Sequence, residues 1–263
     1  MQNRHIDRQS YFRELSNTSR TFFLPYVKTY HDVSPNCRVL EIGCGEGGNL
    51  LPFAEQKCFV EGIDYSVTRI SQAKVFFQKS GAKGLFINEN VFSFNLLDPN
   101  EKFDIIMIHD VVEHIFEKKK LMEHLKDFIK PNGIIFWGFP AWQMPFGGHQ
   151  QICHSKICSK LPFIHLLPMP LYQLLLKFFG EDKNCIKELV NIKKTRVTIE
   201  DFEKLSKESN YNILDRCLWL VNPHYLQKFH LKPRKLSHFL SRIKYFRNFF
   251  STSCFYITQC KES

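Results

Sequence analysis

Glu41 and Asp64 stand on either side of a loop in which four of six residues are glycine, Gly43-Cys44-Gly45-Glu46-Gly47-Gly48. Glycine takes up positive φ without steric cost and lets a ligand lie against bare main chain. An ionised aspartate accepts hydrogen bonds from two neighbouring hydroxyls, as a ribose diol requires. One apolar run, Val39-Leu40-Glu41-Ile42, opens into the glycines, and the next, Phe59-Val60-Glu61-Gly62-Ile63-Asp64, ends in the second carboxylate. That order is a nucleoside-binding arrangement. The loop also satisfies G-x-G-x-x-G with an acid about twenty residues on, which by itself suits a dinucleotide as well as another nucleoside. His109, His114, His149 and His154 are the side chains whose ordinary pKa lets them take a proton near neutrality.

These residues need a sheet to hold them. Strands are expected at about Arg38–Ile42, Cys58–Ile63, Gly84–Asn88, Phe103–His109 and Ile134–Phe139, with helices between them from about Gly48 to Gln56, after the N-cap Ser66 to about Ser80, and from about Lys118 to Ile129. Pro131-Asn132-Gly133 reads as a turn into the fifth strand. Strand four, Phe103-Asp104-Ile105-Ile106-Met107-Ile108-His109, is apolar enough to lie centrally in a parallel sheet. About Arg4 to Tyr30 has helical spacing and no glycine. From Ala141 to about Val197 prolines and aromatics cluster and no strand is evident, with helical character only near Leu171–Phe179, read as a packed lid helix. Thr198 caps a helix over Ile199–Ser209, Ile213–Val221 is strand six, a helix is expected over Leu236–Phe250, and Cys254–Cys260 is the last strand.

The expected architecture is α/β: a doubly wound, mostly parallel, seven-stranded sheet with an N-terminal helical segment and two inserts. The divisions are 1–36 (N-terminal helices), 37–141 (ligand-binding α/β core), 142–197 (a lid or acceptor insert) and 198–263 (the end of the core, with a basic aromatic insert at 222–253).

Charge is unevenly placed. Residues 1–145 hold 17 Lys+Arg and 17 Asp+Glu, whereas 146–263 hold 19 and 9, so the second half carries the whole net charge of +10. No acid occurs from Arg216 to Lys261, and Trp219, Tyr225, Phe229, Phe239, Tyr245 and Phe246 are interleaved there. Such a face can meet an anionic substrate, a lipid surface or nucleic acid. Met1–Arg20 is polar and charged, so no export signal is expected. The longest apolar stretch, Leu161–Gly180, is interrupted by Pro162, His165, Pro168, Pro170, Gln173 and Lys177 and falls short of a membrane span. The nine scattered cysteines read as reduced thiols of a cytoplasmic protein. His149, Cys153, His154 and Cys158 contain no C-x-x-C pair, and no metal is expected.

Three features separate the nucleoside possibilities. Glu41 makes the loop E-x-G-x-G-x-G, a helical segment precedes it, and HDVVEHI (His109–Ile115) follows strand four. With VLEIGCGEGG, GIDYS, FDIIMIHDVVEHI, PNGIIF and TIEDFEKLSKESNYNIL, the chain resembles the class I S-adenosylmethionine-dependent methyltransferases, in the style of the quinone-biosynthesis enzymes. The resemblance covers about Cys37–Pro140 closely and Thr198–Val221 weakly. It implies S-adenosylmethionine as cofactor, with Glu41 and the backbone of Gly43, Cys44 and Gly45 around its methionine part. Asp64 would hold the ribose, Tyr65 would flank the adenine, and Asn90 and Val91 would follow strand three, with Glu89 beside Asn90. His109 and Asp110 would lie near the transferred methyl. Asn90 stands where the family often has an acid facing the adenine amine. His149, His109 and His114 are the candidate bases for a hydroxyl acceptor, and Gly147-Gly148-His149-Gln150-Gln151 is expected to be a mobile polar patch of a closing lid. The implied acceptor is a small molecule, anionic or linked to lipid or glycan, with methylation at oxygen and peripheral contact with a membrane. An RNA methyltransferase using the basic tail, an NAD(P)-dependent oxidoreductase, and a binding protein that has lost catalysis are the alternatives.

Overall fold

The computed structural model describes residues 7–96, 98 and 101–261; the start of the expected N-terminal helix, Arg4 to Ile6, lies outside them. The chain opens with one long helical run. It consists of α1 (Arg8–Thr18), a wider π turn (Ser19–Phe23) and α2 (Leu24–Lys28). Then come β1 (Arg38–Ile42), a 3-10 turn at Gly48–Leu50 leading into α3 (Leu51–Glu55), β2 (Phe59–Asp64), α4 (Val67–Lys79), β3 (Leu85–Asn88), β4 (Phe103–His109), α5 (Lys118–Leu125) and β5 (Ile129–Phe139). The lid segment carries α6 (Met169–Phe178) and α7 (Lys183–Thr195). The chain closes with α8 (Ile199–Glu208), β6 (Tyr211–Val221), α9 (Tyr225–Phe229), β7 (Arg234–Lys235), α10 (His238–Arg242) and β8 (Ser253–Cys260).

The strands form one sheet in the order β3-β2-β1-β4-β5-β8-β6-β7. β1 to β5 run parallel, and β8 is antiparallel to both of its neighbours, β5 and β6. The order reverses between β1 and β4, the switch point beside which doubly wound sheets bind ligands. Side chains alternate between the two faces, as the period of 2 in a strand dictates. Val39, Val60, Ile105, Met107 and Phe136 pack against α1, α2, α3 and α4 on one face. Leu40, Ile106, Ile108, Ile135 and Trp137 pack against α5 and α8 on the other. A separate small core, with Cys153, Cys158, Tyr172, Leu176, Cys185 and Leu189, holds the lid together.

Four expectations are corrected. The sheet has eight strands rather than seven, because Arg234 and Lys235 add a two-residue edge to β6 and the Leu236 amide donates to Leu218 O. Pro131-Asn132-Gly133 is a bulge inside a longer β5: Phe103 pairs with Ile129 but Ile105 with Ile134, so the extra residues loop out within one strand. The basic helix expected over Leu236–Phe250 is broken into α10 and a 3-10 turn at Phe246–Phe250, since Ile243 is extended and Tyr245 has a φ of 63°. α7 went unread because its lysines mask the apolar stripe Cys185, Leu189 and Ile192; Asp182 caps it by accepting from the amides of Asn184 and Cys185.

The lid helix is amphipathic. In α6, Tyr172 and Leu176 are buried while Leu171, Leu174 and Phe178 are exposed. Among the described residues no helix is long and apolar enough to cross a membrane.

Candidate active site

The glycine loop folds over the end of β2. The amides of Gly43 and Cys44 both donate to Ile63 O (2.8 and 3.1 Å). Asp64 then fixes the loop from below: its Oδ2 accepts from the Gly45 amide at 3.0 Å and its Oδ1 from the Ser66 amide at 2.8 Å. Each carboxylate oxygen keeps a lone pair for a second donor. Gly43, Gly45 and Gly47 have φ of 68°, 53° and 80°. At Gly43 a Cβ would also stand 2.4 Å from Val111 Cγ2, so both conformation and space demand glycine there.

Beneath the loop lies Glu41, fully buried. Asn49 Nδ2 donates to one of its oxygens at 2.7 Å, and the other has no partner. Burial pushes its carboxyl up to about 8, partly offset by the Asn49 bond. A buried acid with an unused oxygen beside bare main chain fits a ligand that brings a cationic or donor group. The N-terminal helix braces the loop from outside. Arg8 ion-pairs with buried Glu46, Ser19 Oγ donates to Asn49 O at 2.7 Å, and a Cβ on Gly48 would meet Phe12 O at 2.7 Å. The Arg8–Glu46 pair joins residues far apart in the chain and left no local signal.

A cavity of about 490 Å³ opens at this end of the sheet. Gly43, Asp64, Tyr65, Asn90, Val91, Asp110, His114 and His149 line it, all of them singled out in the sequence. Arg69, Val111, Glu188 and Ile192 also line it and went unread. Glu188 and Ile192 are four apart on α7, so this helix presents one face to the cavity. Asn90 uses its side-chain oxygen to accept from the Phe92 amide at 2.9 Å, and Glu89 stands next to it on the cavity wall.

Glu41, Cys44, Gly45 and His109 are not on the wall. The Cys44 side chain fills the space left by Gly62, where a Cβ would lie 2.6 Å from its sulfur. His109 is turned to the N-terminal helix: its ring packs on Phe23 (centroids 4.7 Å apart) and against Gly138, and its Nδ1 lies 3.4 Å from Asp110 Oδ2.

Two residues of the wall, Asp110 and His149, hold non-glycine positive φ, 54° and 56°, the kind of local strain that concentrates at functional sites. The rings of His114 and His149 meet edge to face, 5.0 Å between centroids. Desolvation and then the neighbouring His114 pull the His149 pKa down to about 4, and desolvation lowers that of His114, although its side chain is 40% exposed. Both are therefore neutral and able to accept a proton at physiological pH. Glu113, buried beside them with one oxygen 3.9 Å from His114 Nε2, makes no hydrogen bond through either oxygen, and burial followed by the Asp110 charge raises its carboxyl pKa well above the usual range. One donor atom each from Glu113, His114 and His149 fall within 4.8 Å of one another, a spacing that can accept a divalent cation.

The patch before His149 differs from expectation. Gly147 and Gly148 are buried. A Cβ on Gly147 would lie 2.2 Å from Trp142 O and one on Gly148 2.2 Å from His165 Cβ. The pair is glycine because the lid backbone packs tightly on itself. His165 is a fully buried ring that meets Trp142 O at 2.8 Å. His154 lies away from the cavity, 3.0 Å from Asp182.

This sheet order, with the antiparallel β8 between β5 and β6 and the glycine loop after β1, is the fold of the class I S-adenosylmethionine-dependent methyltransferases. The family model described as "Methyltransferase domain" matches residues 33–165, about half of the chain, and the chain belongs to that family. It is 37% identical over 98 residues to a ubiquinone biosynthesis O-methyltransferase of Rhodopseudomonas palustris, covering 37% of this chain and 38% of that one. The corresponding protein of Bradyrhizobium diazoefficiens is 35% identical over 106 residues, or 39% and 41% of the two chains. The match thus spans about two fifths of the length of these curated relatives. Among solved structures, an S-adenosylmethionine-dependent methyltransferase from Clostridium acetobutylicum shares the fold with a TM-score of 0.58 at 13% identity, over 99% of this chain and 96% of that one. A magnesium protoporphyrin IX methyltransferase from Synechocystis with bound S-adenosylhomocysteine gives 0.55 at 13%, over 94% and 84%.

Proposed function

We propose that this protein transfers the methyl group of S-adenosylmethionine to an oxygen of a small-molecule acceptor, free or linked to lipid or glycan. One observation carries this reading. A single cavity has Gly43, Asp64, Tyr65 and Asn90 on its nucleoside side and the neutral pair His114 and His149 on its lid side. The cofactor supplies an already activated sulfonium methyl, so the protein's task is to hold donor and acceptor in line, an effect that can contribute up to about 7–11 kcal/mol.

Asp64 accepts from the ribose hydroxyls through the lone pairs its loop contacts leave free. Glu41, behind the cavity wall, steadies the glycine loop through Asn49, and Tyr65 and Asn90 flank the adenine. His149 takes the proton of the acceptor hydroxyl, with His114 against its ring; the water-poor environment that depresses its pKa keeps it neutral for that purpose. The names of the relatives favour oxygen as the methylated atom. The basic, aromatic 222–253 insert favours an anionic or amphiphilic acceptor; on α9, burial and then the Asp110 charge raise the Tyr225 pKa.

The test is transfer of labelled methyl from S-adenosylmethionine to hydroxyl-bearing small molecules, with and without a lipid tail, alongside total RNA. Label in a base-stable small-molecule product is expected. Label in RNA alone would replace this reading with the RNA methyltransferase alternative, as would a steep salt dependence of RNA binding.

A further inference from the structure

The lid has a small core of its own, and that core is rich in thiols. Cys153, Cys158 and Cys185 are buried in it together with the carboxylate of Glu181. The donor atoms of Cys153, Cys158 and Glu181 lie within 4.8 Å of one another. The Cys185 thiol faces both Glu181 and Cys153. Glu181 is held in place by the amides of His154 (2.9 Å) and Ser155 (3.0 Å), each of which occupies one lone pair and leaves others free. The hydroxyl of buried Tyr172, in the same core, has no partner.

We propose that Cys153, Cys158, Cys185 and Glu181 bind a structural zinc ion that staples the start of the lid to the start of α7. Tetrahedral zinc with bonds of about 2.1–2.3 Å sets its ligand atoms about 3.5–4 Å apart, a modest contraction for Cys153, Cys158 and Glu181, with Cys185 moving in from the same core as the fourth ligand. The ligands come in two pairs. Cys153 and Cys158 form a C-x4-C pair on the loop, a spacing seen in structural zinc sites. Glu181 and Cys185 form an E-x3-C pair across the N-cap of α7. The second pair is why no metal was expected from the sequence: the fold joins it to the first.

Chemistry favours the assignment. Three sulfurs and one carboxylate oxygen, all from buried side chains, are a donor set that suits zinc. Zinc binds the thiolate form, so its binding releases protons and strengthens with pH. The consequence reaches the candidate active site. Cys153 is four residues beyond His149, and Cys185 is on the helix that carries Glu188 and Ile192 to the cavity. The ion would hold both walls of the lid in register. The proposal is independent of which acceptor is methylated.

The test is elemental analysis of the purified protein, followed by replacement of the metal with cobalt. About one zinc per chain is expected, and the cobalt form should show sulfur-to-cobalt charge-transfer absorption with the visible bands of a tetrahedral ion. Cys158→Ser should lose that absorption and Cys260→Ser, at the end of β8, should keep it. Three results would overturn the proposal: no bound metal with all nine thiols reduced, a Cys153–Cys158 disulfide, or cobalt bands without a sulfur signature, which would put the ion at Glu113, His114 and His149. The wild-type spectrum alone separates thiolate from imidazole ligation, so the conclusion stands even if Cys158→Ser fails to fold.

Discussion

The two sides of the cavity are built differently. The side proposed to hold the nucleoside is made of strand ends: Gly43 after β1, Asp64 at the end of β2, and Asn90 and Val91 just past β3, each within a few residues of the strand that positions it. The lid side is assembled from distant chain. His114 follows β4, His149 comes from the loop after β5, and Glu188 and Ile192 come from α7. One side depends on local backbone geometry and the other on packing between segments that share no motif. Damage to the first should therefore strike cofactor binding, and damage to the second should strike turnover while leaving the cofactor in place.

The sharpest way to break that division is Gly43→Val. The added carbon would collide with Val111 and the residue would be forced into a positive φ; S-adenosylhomocysteine binding should vanish in calorimetry while circular dichroism shows a folded chain. Retained binding would place the cofactor elsewhere. His149→Ala should lower kcat by about a hundredfold or more, the usual range for a lost general base, with unchanged affinity for S-adenosylhomocysteine. The pH profile sharpens the same point. His149 accepts a proton only when neutral, and its pKa is depressed to about 4, so kcat should fall only as the pH drops toward 4. An acid limb centred near 6.5 would assign the base to a histidine with an ordinary pKa. Asp64→Ala should weaken cofactor binding tenfold or more, since charge-assisted hydrogen bonds contribute about 1.5–3 kcal/mol each. An effect confined to kcat would move Asp64 to the other side of the comparison.

How much could be read in advance follows the same line. β1, β2, β4 and the caps Ser66 and Thr198 were legible because a strand or a cap is a pattern over a few neighbouring residues. The glycine loop was legible because positive φ leaves a mark in residue type. α7 was not: its lysines dilute the apolar stripe. Gly147-Gly148 was read as mobility because glycine looks alike in the sequence whether it permits motion or close packing; only Trp142 and His165 pressed against it show which. His109 carried the right residue type at the right strand end, yet the strand's alternation turns its ring to Phe23 rather than to the cavity.

Sequence alone determined the doubly wound core and the place of its glycine turn, since hydrophobic period and glycine spacing act over a few residues and need no partner to be recognised. Tertiary structure decided which groups meet across the lid: His114 with His149, Arg8 with Glu46, and Cys153 with Glu181. Those encounters join residues far apart in the chain, and their electrostatics depend on burial, which is a property of the packed molecule and not of any segment of it.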